Sequence, residues 1–149
     1  MKKRNEEYKQ IKKRYEKLFE NMLDGFALHK IITDDQNNPI DYEFIEVNPA
    51  FCKILNVRKE DIIGKTVLEL WPQTEKYWIE NYGKVAQTGE TMQFENYSST
   101  FNKYFRVQAF SPEYGFFVVI FHDITQLMLK QKELEIAKEK ALEKEQLKT

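Results

Sequence analysis

Two histidines, one cysteine and a set of aromatic side chains are the groups on which any chemistry of this chain would rest. His29, His122 and Cys52 are too widely separated to read as a metal spacing. Asp34-Asp35 reads as a turn and Ser98-Ser99 as a polar loop, so no nucleophile stands beside a recognisable base. No glycine-rich phosphate loop is present. Catalysis is therefore not expected of this chain, and the chemistry that remains is binding. Trp78 and Tyr82 fall on one face of a helical segment. Phe94, Asn96, Phe105, Val107, Phe117, Val119 and Phe121 fall on the facing sides of three strand segments, with Phe51 expected to close one end. Such an interior is the usual make-up of a small-molecule site, and also of an ordinary filled core. Asn96 is its rare polar member, because a buried amide needs a partner. His29 interrupts an apolar strand, where it either points into a cavity or is satisfied in the core or at the surface.

The elements that must position these residues are punctuated by glycine and proline. Neither occurs before Gly25 or after Gly115, so both ends read as helical and turn chemistry is confined to the middle. The middle reads β-β-α-α-α-β-β-β. Residues 25–33 and 41–47 are the first two strands, joined by the turn Asp34-Asp35-Gln36-Asn37-Asn38-Pro39. Asn48-Pro49 opens a helix, with Asn48 as N-cap and proline at its first position. Residues 58–63 form a helical turn closed by Gly64, and Thr66-Val67-Leu68-Glu69 is a capping box. The longest internal helix covers residues 74–88 and stops at Gly89. Trp78, Tyr82, Val85 and Ala86 lie on its apolar face, and Gly83 within it costs about 1 kcal/mol.

Three strands follow, the last running from Phe116 through Phe121. It is apolar on both faces, so both are expected to be covered, one by the internal helices and the other by a flanking helix or a second subunit. His122 falls on the outer of these faces, suited to a packing or pH-sensitive contact. Asp123 is expected to cap an exit helix by accepting from the Gln126 N–H. From Gln126 onward 11 of 24 residues are charged, and Leu127, Leu134 and Ala141 make only a weak seam. At the other end Tyr8, Ile11, Tyr15, Leu18 and Met22 recur at spacings of three and four. That seam either packs on its own domain or pairs with a second copy.

Bulk properties narrow the classes further. At 149 residues with 14% aromatics the chain supports one domain with a real core plus accessories. The middle, residues 21–125, carries a net charge of −6, which opposes nucleic-acid binding through a basic face. The basic N-terminal arm could touch an anionic membrane, but mixed charge on a helix reads first as a solvated face. A single cysteine fits a reducing compartment. No apolar run reaches the roughly 18–20 residues of a membrane span, and Met1-Lys2-Lys3-Arg4 is followed by charge rather than by a signal sequence. A cytoplasmic location is the expectation.

Asp24-Gly25, Val47-Asn48-Pro49-Ala50-Phe51, Ile62-Ile63-Gly64-Lys65, Thr88-Gly89-Glu90 and Asp123-Ile124-Thr125, in this order and spacing, resemble a PAS domain. The resemblance covers about residues 17–125. It implies an α+β fold: a five-stranded antiparallel sheet of order 2-1-5-4-3 with helices on one face. The chain then divides into an N-terminal helix (1–22), the PAS core (23–125) and a C-terminal signalling helix (126–149). It implies a sensory module that binds a small ligand between helices and sheet, in a pocket lined by the residues named above. It also implies dimerisation through the flanking helices, and coupling of the last strand to the exit helix through Asp123 and Thr125. The tail from Leu134 to Thr149 resembles the connector of bacterial or archaeal sensor histidine kinases, with a diguanylate cyclase as the alternative parent. Light-sensing relatives need a reactive cysteine where this chain has Val67, which argues against a flavin adduct, and Cys52 reads as a small buried apolar residue. Haem-binding relatives use a histidine from the long helix, and residues 74–88 contain none. The cofactor is thus left open, with a small organic ligand expected and a ligand-free dimerisation scaffold as the competing reading.

Overall fold

The computed structural model describes residues 2–147. Met1, Lys148 and Thr149, the ends of the two expected arms, lie outside the described residues. The elements run α1 (Lys2–Asn21), β1 (Gly25–Thr33), β2 (Pro39–Val47), α2 (Pro49–Leu55), a 3-10 turn (Lys59–Asp61), α3 (Val67–Leu70), α4 (Lys76–Thr88), β3 (Met92–Ser98), β4 (Lys103–Phe110), β5 (Phe116–Asp123) and α5 (Thr125–Leu147). The strands form one antiparallel sheet of order β2-β1-β5-β4-β3, the order expected. No helix among the described residues is long and apolar enough to cross a membrane.

Alternation along each strand decides which side chains enter the core. Ala27, His29 and Ile31 from β1, Phe105, Val107 and Ala109 from β4, and Phe117, Val119 and Phe121 from β5 are buried beneath the helices. In β2 the buried residues are Tyr42, Phe44 and Val47, a spacing that breaks the period of two. The register shift between Leu28 and His29 absorbs the break: Leu28 pairs with Glu46 and His29 with Phe44, leaving Ile45 as the extra, exposed residue.

Asn48 does more than cap α2. Its Oδ1 accepts from the Phe51 N–H and the Phe26 N–H, each at 2.9 Å, and its Nδ2 donates to the Asp24 carbonyl at 3.0 Å. Fully buried and satisfied, it ties the start of β1 to the first turn of α2. Gly83 has a packing reason. A Cβ there would lie 2.2 Å from Pro39 Cγ, so glycine lets α4 close onto the head of β2. Gly25 likewise leaves room for the Phe121 ring, which would stand 2.3 Å from an added Cβ.

The arms differ from the expectation of a covered outer face. No residue of α1 or α5 is buried. Tyr8, Ile11, Tyr15 and Leu18 of the seam are exposed, and α1 meets its own domain through Phe19, off the seam, whose ring stands edge-on to Phe26 at 5.1 Å. Val118 is buried on the outer face, but Phe26, Leu28, Phe116 and Ile120 beside it stay partly exposed.

Candidate functional site

A cavity of about 100 Å³ lies between the inner face of the sheet and helices α2, α3 and α4. Of the side chains proposed from sequence, His29, Phe51, Trp78, Tyr82, Phe105, Val107, Val119 and Phe121 line it. Three do not. Phe117 is fully buried behind the lining, its ring stacked on Tyr82 at 5.0 Å and on His29 at 4.5 Å. Phe94 packs against Trp78 at 5.3 Å and does not border the cavity. Asn96 is half-buried, and its Oδ1 accepts from the Tyr97 N–H at 2.8 Å. Both sit on β3, an edge strand whose inward side chains the helices only half cover. Alternation placed them on the right face but could not say how far the helix layer extends.

The lining has members that the sequence reading missed. Tyr42 and Phe44 come from β2, where the bulge hides the alternation that would have marked them. Val67 opens α3 and Trp71 follows it, Ser98 ends β3, and Thr100 and Phe101 come from the β3–β4 connection. Trp71, Thr74, Thr100 and Phe101 are partly exposed and mark the side on which the cavity opens. The loop there is held: Ser99 donates to the Glu75 carboxylate through its N–H at 3.2 Å and its hydroxyl at 2.8 Å, and Phe101 stands edge-on to Trp71 at 5.0 Å.

His29 is the polar group deepest in this lining, with 3% of its surface exposed. Its ring stacks on Phe117 and meets Tyr42 at 4.9 Å and Phe44 at 4.8 Å edge-on. Burial pushes its pKa down to about 3, and the neighbouring Phe117 backbone opposes this only in part and gives Nδ1 no hydrogen bond. The imidazole is therefore neutral under ordinary conditions. Each ring contact is worth about 0.5–1.5 kcal/mol, enough together to hold the ring against an unpaired nitrogen costing about 1–3 kcal/mol. Burial raises the phenol pKa of Tyr42, with Asp41 adding to it, and that of Tyr82, so both also stay neutral.

Cys52 is half-buried rather than buried and lies outside the cavity, in a cleft between α1 and α2 beside Glu16, Glu20 and Lys59. Burial, reinforced by Glu60, pushes its thiol pKa up, which keeps it protonated and weakly nucleophilic. Val67 borders the cavity. Among the described residues no three His, Cys, Asp or Glu side chains could jointly hold a metal ion.

The junction after β5 is built differently from the expected cap. Asp123 Oδ1 accepts from the Thr125 N–H at 3.0 Å and the Thr125 hydroxyl at 2.6 Å, not from Gln126. The reason is register: the first helical bond of α5 runs from the Met128 N–H to the Ile124 carbonyl, so Ile124 holds the cap position and Asp123 lies one residue upstream. Thr125 Oγ1 in turn accepts from the Tyr104 N–H at 3.0 Å, while the Ile124 N–H donates to the Tyr104 carbonyl at 2.9 Å. The start of α5 is thereby fastened to β4. Lys103 extends this cluster, donating to the Ile54 carbonyl of α2 at 2.7 Å and lying 3.9 Å from Asp123 Oδ2. His122 is exposed on the outer face, its Nδ1 3.1 Å from the Asp24 carboxylate.

An antiparallel sheet cupping short helices around an aromatic cavity, with a helix leaving its central strand, defines the class of α+β domain to which this chain belongs. Residues 13–86 match the PAS domain family. Among solved structures, the chain resembles the PAS domain of an HTR-like protein from Haloarcula marismortui, at 20% identity and TM-score 0.58, covering 83% of this chain and all of that one. It also resembles a domain of a sensory box sensor histidine kinase/response regulator from Geobacter sulfurreducens, at 17% identity and TM-score 0.54, covering 75% of this chain and 93% of that one. No curated protein matches the chain. Sheet order, site and family match agree, and the chain belongs to the PAS domain family.

Proposed function

We propose that this PAS domain is a small-molecule input module that passes its state through α5 to an output domain, a histidine kinase being the first choice and a diguanylate cyclase the second. One observation carries the reading. β5 supplies Val119 and Phe121 to the cavity and, two residues further on, Asp123, whose carboxylate accepts from Thr125 at the root of α5. A second route runs from α2, whose Phe51 and Leu55 line the cavity and whose Ile54 carbonyl is held by Lys103 beside Asp123. Occupancy that moves α2 or β5 therefore bears on the helix root. A ligand shifts such an equilibrium only by its differential affinity for the two states. The exposed seam of α1 and the exposed leucines of α5 support a homodimer through the arms; the single cysteine favours a reducing, cytoplasmic location, and the net charge of −6 over residues 21–125 speaks against a nucleic-acid partner.

The test is in two parts. Native mass spectrometry of the purified chain should report a dimer retaining a small molecule. An empty monomer would overturn the reading, and an empty dimer would favour a scaffold, which the small cavity volume also suits. Asp123→Ala should leave ligand retention within about twofold while changing the output of the parent protein. Equal output in variant and wild type would sink the coupling role.

A further inference from the structure

We infer that the cavity takes a compact, uncharged, largely apolar molecule bearing one polar group, which the His29 imidazole reads by a hydrogen bond. The inference rests on the ligand-sensing role proposed above and narrows it to a chemical class. Three observations define the class. First, among the described residues no Lys, Arg, Asp or Glu borders the cavity, and its titratable members, His29, Tyr42 and Tyr82, are all neutral at ordinary pH. An ion entering there loses its hydration without gaining a counter-charge. Second, the cavity of about 100 Å³ is smaller than a 150 Å³ cavity that admits benzene, so the ligand is of roughly that size or less unless it protrudes through the mouth. Third, His29 is the polar ring of the lining, 3% exposed and clamped by Phe117, Tyr42 and Phe44, and beyond the approach of the Phe117 backbone its Nδ1 has no hydrogen bond. A buried polar group left unpaired lowers stability, whereas a leucine of similar volume would not. A neutral donor or acceptor on the ligand completes this environment.

Butyramide and butyrate are near-isosteric and differ in charge, and cyclopentane supplies the apolar control. Trp71 and Trp78, the only tryptophans of the chain, both line the cavity, so their emission reports occupancy directly. In titrations of the full chain at neutral pH, butyramide should bind at least about tenfold more tightly than butyrate. His29→Leu should keep the near-ultraviolet circular dichroism of the wild type, lose butyramide affinity by about tenfold and keep that for cyclopentane. His29→Gln, which retains a neutral polar group, should recover part of the loss. Butyrate binding as well as butyramide, or undiminished butyramide binding by His29→Leu, overturns the ligand class. Cyclopentane binding without butyramide overturns the class while leaving a ligand cavity in place. Failure of all three probes on the wild type overturns the sensing role as well.

Discussion

Burial fixes the protonation of His29, and protonation ties that residue to stability. Its pKa of about 3 in the fold lies below the unfolded value near 6.5, so between these limits the unfolded chain binds a proton that the native chain refuses. Stability contributed by the neutral imidazole is complete above pH 6.5 and is lost as pH falls toward 3, at up to about 1.4 kcal/mol per pH unit. Other groups titrate in the same range, so the difference between wild type and His29→Leu isolates the effect. Urea midpoints across pH 7 to 4 should fall more steeply for wild type than for the variant. Parallel profiles would show that His29 is not held neutral. Asn48 is the contrasting case, a buried polar side chain whose three hydrogen bonds are all made. One residue has its hydrogen-bond partners built into the fold, and the other is held by ring contacts.

At the scale of elements, close approach matters more than propensity. Alanine at position 83 would gain about 1 kcal/mol of helix propensity. Its Cβ would also meet the Pro39 ring at 2.2 Å, a side chain with little freedom to move aside. Overpacking of this kind costs about 1–3 kcal/mol, so Gly83→Ala should lower the urea midpoint without changing the slope of the transition. A raised midpoint would mean that α4 can shift away from β2 without loss. The root of α5 follows the same logic. No residue of α5 is fully buried, so its direction is set by the bonds of Ile124 and Thr125 to Tyr104 and by the Asp123 turn behind them.

For the whole molecule, the arms are what the domain leaves unfinished. Tyr8, Ile11, Tyr15 and Leu18 form an exposed apolar row on α1, and β5 presents Ile120 and the buried Val118 outward. A second copy pairing along α1 would bury this row. Ile11→Asp should therefore shift the chain from dimer to monomer in sedimentation velocity while leaving its near-ultraviolet circular dichroism unchanged. A wild-type chain that sediments as a monomer, or a variant that still dimerises, would remove α1 from the interface.

The local signals in the sequence were enough for the architecture. Strand one was read with the bounds it has, Asn48-Pro49 opens α2, Gly89 ends α4, and the five spaced motifs carried the family. These features depend on neighbours within a few residues, and short-range sterics and capping decide them. Part of the cavity lining follows from periodicity, since alternation along β1, β4 and β5 and the helical repeat of α4 each assign a face. What alternation cannot carry is distance across the fold. The bulge at Ile45 brought Tyr42 and Phe44 into the lining, the edge position of β3 left Asn96 and Phe94 out of it, and Phe117 proved to be filler behind the wall. Lys103 gave no sign in the sequence of reaching both α2 and Asp123. The sequence by itself determined the elements, their order and the faces they present. Only the tertiary structure decided which inward side chains border empty space, which fill it, and where a histidine nitrogen is left without a hydrogen bond, because those outcomes depend on how layers distant in sequence meet.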